Sequence, residues 1–243
     1  MSSAHAPGNE PALPNEGTSN TFLYFGILAG VAGVASIVID FLTPSASSAQ
    51  QQLASFQSNP NGYVLYLFPL AFAFLVTPFF ISLASVLRAQ GSGLARVGPL
   101  VILAGLFSLG IAGAFEYGGY WAISTTPAPS ASIQMYEAAL WSTINDAWTV
   151  VSIYGVGMGA VILASALGQT RDLPKWMATA AWVGAAIDLI GAVMASLSGY
   201  YNALSIGFLL PVAPLVIVIV LSFEIPLTLR KRLASPSASS PAV

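Results

Sequence analysis

Six carboxylic acids of this chain sit where water is scarce. Asp40, Glu116, Glu137, Asp146, Asp188 and Glu224 lie within, or at the ends of, long apolar stretches, and no Lys, Arg or His lies inside those stretches to pair with them. A carboxylate at the centre of a bilayer costs about 2.5–3.5 kcal/mol on insertion scales. Such a group must therefore be hydrogen-bonded, protonated or matched by a cation from outside the chain. The chemistry these residues offer is the binding or passage of a proton, a cation or a cationic ligand. Asp146 is the richest position, because Ser142, Asn145, Thr149 and Ser152 surround it at spacings of three, four and three, a polar stripe on one helix face. Asp188 shares a face with Gly184, Gly191, Ala195 and Ser198. Counting 1.5 Å per residue, it lies about 18 Å from Trp176, near or just beyond the midplane. Asp40, Glu116 and Asp146 belong to three different segments, yet all three fall toward the same side of the membrane. If they form a site, at least two should converge, walled by aromatics from 115–121 and from Trp141, Trp148 and Tyr154. Asp188 is expected to face the bundle interior, hydrogen-bonded to a polar side chain or carbonyl of another helix. Each acid also has a plainer reading: those at helix ends are solvated at the interface, and the deep ones are structural hydrogen-bonding groups.

Other chemistries find no residues to carry them. With no cysteine, disulfides, thiolate metal sites, iron–sulfur clusters and cysteine nucleophiles are excluded. The single histidine, His5, precedes every apolar run. No Walker loop, G-x-S-x-G, H-E-x-x-H or G-x-G-x-x-G after a strand occurs. Gly155, Gly157 and Gly159 lie inside an apolar helix and are no phosphate loop. Neither a catalytic residue, a cofactor nor a resident metal is expected. Seven basic residues give no surface for nucleic acid.

Long apolar helices must position the acids. Of the 243 residues, 56% are hydrophobic and 7% charged, against about 25% charged in an ordinary soluble domain. Mean hydropathy is +0.78. A spanning helix needs about 20 mostly apolar residues. Six segments qualify: 22–42, 63–87, 97–120, one within 136–167, 176–197 and 206–229. The fourth is longer than a bilayer requires, and its first turns, 136–142, are expected to stand outside the hydrocarbon. Residues 1–20 and 231–243 read as disordered tails, leaving 21–230 as one all-α, six-helix transmembrane domain.

Every Lys and Arg sits in one of three places: Arg88 and Arg96; Arg171 and Lys175; or Arg230, Lys231 and Arg232. With six spans these places share one side. Basic residues beside spans are retained in the cytoplasm, so both termini are expected inside, in a multi-pass protein of the cell (inner) membrane. The uncharged loops 43–62 and 121–135 then face out. Tyr63, Tyr66, Tyr117, Tyr120, Trp121, Tyr200 and Tyr201 read as outer interfacial aromatics, and Trp176 as an inner one. Gly26 and Gly30, and Gly155 and Gly159, form G-x-x-x-G pairs that suit close helix packing. Pro69 and Pro78, then Pro211, Pro214 and Pro226, can kink the second and sixth segments.

The stretch from Ala147-Trp148 through the glycine run to Leu173-Pro174-Lys175-Trp176-Met177, and then Gly184, resembles an uncharacterised bacterial family of six-helix integral membrane proteins. Its members carry a Trp and a small-residue seam in the fourth helix, then a Leu-Pro-x-Trp start to the fifth. The resemblance covers about residues 22–230 and implies the fold and topology, with no activity and no site residues.

Two functions follow. The first is transport or binding of a cation, proton or small ligand through Asp40, Glu116, Asp146 and Asp188, with Trp148 and Tyr154. The second is a non-catalytic accessory subunit of a larger membrane complex, held in the lipid bilayer against other subunits or a second copy through its small-residue seams. An enzyme ranks below both. The topology is open to direct test. A reporter active only in the cytoplasm should work after Arg232 or within 88–96, and one active only outside should work within 43–62 or 121–135. Inversion at any two sites would refute the six-span reading.

Overall fold

The computed structural model describes residues 16–42, 48–89, 96–126, 130–170, 173–198 and 209–234; within them the side chains at 16–18, 40, 41, 195, 198, 209–214 and 232–234 are outside the description. All regular structure among the described residues is helical. In chain order the elements are α1 (Glu16–Leu42), α2 (Ala49–Ser58), a 3-10 turn (Gly62–Leu67) that runs into α3 (Phe68–Ala89), α4 (Val97–Thr125), α5 (Ala131–Gln169), α6 (Lys175–Ser198) and α7 (Leu209–Ala234). Five helical stretches among the described residues are long and apolar enough to cross a membrane: Ser19–Ile39, Gly62–Ala89, Val97–Thr125, Ala131–Gln169 and Lys175–Met194. The segment expected at 206–229 begins outside the described residues and continues as α7. The tails at 1–15 and 235–243, and Arg171, Tyr200 and Tyr201, also lie outside them.

Neighbours in sequence are neighbours in space. α1 packs on α3, α3 on α4, α4 on α5, α5 on α6 and α6 on α7, and α7 returns to α1. The helices thus form a closed ring, as short connections between antiparallel helices favour. The end carrying the basic residues, hereafter the basic end, is filled with hydrocarbon. Phe22 stacks on Phe79 at 5.6 Å, and Phe80, Leu83, Leu87, Leu167, Met177 and Ile225 are buried with them. A second, smaller cluster lies at the opposite, distal end: Leu53, Phe56, Tyr63, Tyr120, Ile123 and Ala138.

Glycine sets the closest crossings. A β-carbon on Gly105 would lie 2.8 Å from the backbone nitrogen of Val156, and one on Gly159 would lie 2.6 Å from that of Ile102. Either is too close for real atoms, so α4 and α5 touch backbone to backbone. Ser152 Oγ uses the proximity to donate to the Gly105 carbonyl at 2.6 Å. Gly26 and Gly30 form the equivalent seam between α1 and α7, against Ser222 and Phe223.

Helix boundaries move outward from the sequence expectation. α1 begins at Glu16 rather than at residue 22, and Ser19 is already buried. α5 has 39 residues, about 58 Å at 1.5 Å per residue, nearly twice the hydrocarbon thickness of about 30 Å. Its start is capped by Ser130, whose side chain accepts from the Ile133 N–H. The larger departure is α2, which lies in a stretch expected to be a plain polar loop. Ser48 caps it by accepting from the Gln51 N–H at 3.3 Å, and Asn59 Oδ1 accepts from the Gly62 N–H at 3.2 Å in the turn that follows. Gln52, Leu53 and Phe56 share one buried face.

The glycine seam yields a measurable consequence. Gly105→Val should destabilise the protein by about 1–3 kcal/mol through overpacking. Gly118→Ala, where an added carbon meets nothing within 4 Å, should be neutral or slightly stabilising. Thermal unfolding in mild detergent separates the two.

Candidate functional site

The inward stripe of α4 is Ala112, Gly113, Glu116, Gly119, Tyr120 and Ile123, all buried and repeating at helical spacing. Its glycines make room for what surrounds the acid. Gly113 admits the Tyr66 carbonyl of the 3-10 turn, and Gly119 admits the indole of Trp141 on α5. Glu116 between them is 1% exposed.

Gln52, itself 3% exposed, comes from α2 to meet it. The Gln52 amide Nε2 donates to Glu116 Oε1 and to the Tyr66 hydroxyl at 3.2 Å. The Tyr63 hydroxyl donates to the Gln52 backbone carbonyl at 3.2 Å, and the Tyr63 and Tyr66 rings stack at 5.2 Å. Phe56, one turn along α2, is fully buried, with ring centroids 5.0 Å from Tyr63, 6.0 Å from Tyr117 and 5.9 Å from Tyr120. α2 thus inserts an amide and an aromatic ring into the distal end of the ring of helices.

α5 supplies the other wall. Most of the stripe read from sequence faces inward: Ser142, Thr149 and Ser152 are buried and Asn145 is partly exposed, and Ser142 Oγ lies 2.8 Å from the Tyr120 hydroxyl of α4. Asp146 stands in that stripe and interacts electrostatically with Glu116. Among the described residues, Glu116 Oε2 and Asp146 Oδ1 are buried without a hydrogen-bond partner. A buried polar atom left unpaired costs about 1–3 kcal/mol, so an open acceptor on each of these two carboxyls is an uncompensated cost among the described residues.

The remaining sequence candidates are placed elsewhere. Asp188 is buried on α6 beside Gly157 of α5; among the described residues no hydrogen bond reaches it. Asp40 lies on α1, and its side chain is outside the described residues. Trp148 and Tyr154 are 38% and 37% exposed, and the Tyr154 hydroxyl meets Ser196 Oγ at 3.4 Å. Of the expected aromatics, Tyr120 shares the buried stripe of Glu116 and Trp141 packs against Gly119; Tyr63 and Tyr66 join them through Gln52. Tyr63 and Tyr120, read as interfacial aromatics, are fully buried. Sequence reasoning missed Gln52. The available signal was Ser48 three residues before Gln51, a capping-box spacing, followed by Leu53 and Phe56 one turn apart.

The amide–carboxyl contact can be measured. A hydrogen bond to a charged group contributes about 1.5–3 kcal/mol, a neutral one about 1. Gln52→Ala should therefore destabilise by at least about 1 kcal/mol, and by less in a Glu116→Gln background. A double-mutant cycle read by unfolding in detergent gives the coupling; strict additivity would deny the bond.

Compared with models of known protein families, with curated proteins and with solved structures, the chain matches none.

Proposed function

We propose that the chain is a six-span protein of the cell membrane, with both termini in the cytoplasm and α2 on the outer face, that binds a proton or small cation at the Glu116–Asp146 pair. α7 is the sixth span in this reading. The distribution of Lys and Arg supports the orientation. The observation that carries the function is the buried Glu116, whose second oxygen is unpartnered beside a second carboxyl with an unpartnered oxygen of its own. In lipid, two such groups without a cationic side chain are expensive and tend to be functional. The same reading takes the chain as a member of the six-helix family that its Leu173-Pro174-Lys175-Trp176 segment resembles.

An accessory subunit would turn its small-residue seams to a partner. Here Gly26 and Gly30 pack on α7, Gly155 and Gly159 on α4, and Gly184 against Ile217 of α7. These seams are occupied within the chain, which favours the binding reading.

A ligand bound only by the folded state raises stability by RT ln(1 + [L]/Kd), about 2.7 kcal/mol at a hundredfold excess over Kd. The thermal midpoint of the protein in mild detergent should therefore depend on pH, on cation concentration or on both. Asp146→Asn should remove most of that dependence, while Asp188→Asn leaves it. An unchanged response in Asp146→Asn and Glu116→Gln would refute the site.

A further inference from the structure

The pair of carboxyls is furnished for one kind of ligand. Hard divalent cations take six to eight oxygen ligands, and among the described residues no group of three or more Asp, Glu, His or Cys could hold a metal. The neighbours of Glu116 reduce its oxygens further. Oε1 is taken by an N–H of Gln52, and an N–H donor turns its positive end toward the place a cation would occupy. Oε2 of Glu116 and Oδ1 of Asp146 are the carboxyl oxygens left buried without a partner among the described residues. A proton needs no coordination shell and satisfies a carboxyl oxygen at once by turning it into a donor.

Resting on the binding reading above, we propose that the Glu116–Asp146 pair carries a proton and no metal cation, and that Gln52 on α2 is the specificity-determining residue that enforces the choice. The titratable neighbours fit a proton site. From the 3-10 turn come Tyr63 and Tyr66, both tied to Gln52. α4 adds Tyr117 and Tyr120, α5 adds Asp146 and, toward its start, Glu137, and α2 has no titratable group. None of these elements contains a basic residue; Arg88 lies in the last turn of α3 and Arg96 at the N-cap of α4. The charge of the pair is thus neutralised by what binds there and not by the protein.

The test uses the full chain in mild detergent with three readouts. Infrared spectra at neutral pH should contain the carbonyl band of a protonated carboxylic acid, shifted in heavy water, and Glu116→Gln and Asp146→Asn should each diminish it. At fixed pH and ionic strength, replacing choline chloride with sodium, potassium or calcium chloride should leave the wild-type thermal midpoint unchanged. Gln52→Glu, which exchanges the N–H donor for a second acceptor oxygen and a negative charge, should gain a cation-specific rise of about 2–4 °C. A cation-specific rise in the wild type that Glu116→Gln removes would overturn proton selectivity and leave the binding reading standing. Absence of both the acid band and any cation response would remove the binding reading itself. Gln52→Glu without a gained response would overturn the role of Gln52.

Discussion

One hydrogen bond organises the distal half of this protein: the amide of Gln52 on the carboxyl of Glu116. A carboxyl with 1% exposure in an apolar helix is admissible only where something answers its polarity, and among the described residues no basic side chain pairs with it. The answer comes from outside the ring of long helices, from α2. Drawing Gln52 down to Glu116 brings Leu53 and Phe56 with it, and these nucleate the second apolar cluster with Tyr63, Tyr120 and Ile123. The hydrogen bonds of Tyr63 and Tyr66 to Gln52 then fix the turn that starts α3. Polar satisfaction and apolar packing are the same event at this end of the molecule.

The two ends of the bundle are consequently different materials. At the basic end, Phe22, Phe79, Leu83, Leu167, Met177 and Ile225 fill the space between helices with side chains that offer no alternative arrangement of polar groups. Between the ends, glycines on α4 and α5 bring backbones into contact, where Ser152 adds an interhelical hydrogen bond of the modest strength usual in membrane helices, about 0.6 kcal/mol on average. These crossings set the register of α4 against α5 that places Glu116 and Asp146 on facing stretches of adjacent helices.

Most of the architecture was legible in the chain because apolar length is a strong signal. The five membrane-compatible stretches fall where uninterrupted hydrophobic runs predict them, and the Gly26–Gly30 and Gly155–Gly159 pairs mark true helix seams. The stripe of Ser142, Thr149 and Ser152 was readable from its spacing and does face inward. Glu116 and Asp146 could be grouped with Asp40 as acids of one side without basic partners, apart from the deeper Asp188, but not picked out of that group as a pair. That distinction depends on which faces of α4 and α5 meet, and glycine crossings such as Gly105 against Val156 decide it. The aromatic surroundings were legible in part: Tyr120 and Trp141 lie beside the Glu116 stripe as the sequence suggested, Trp148 and Tyr154 are partly exposed, and Tyr63 and Tyr66 arrive from a different element. α2 was hidden because a ten-residue, mostly polar segment lacks the length that made the other helices obvious.

Closure of the ring through α1 and α7 has a consequence for how the protein is made. A chain emerges from its N-terminal side first, so α1 enters the membrane with its glycine face bare and keeps it bare while α3, α4, α5 and α6 follow. Only α7 carries Ser222 and Phe223, the groups that fill the space beside Gly26 and Gly30. α2 waits as well, since Phe56 and Gln52 find Tyr120 and Glu116 only once α4 is in place, and Ala138 only with α5. Biogenesis is thus ordered by geometry: the cap assembles midway through synthesis, and the first helix is the last to find its full set of neighbours.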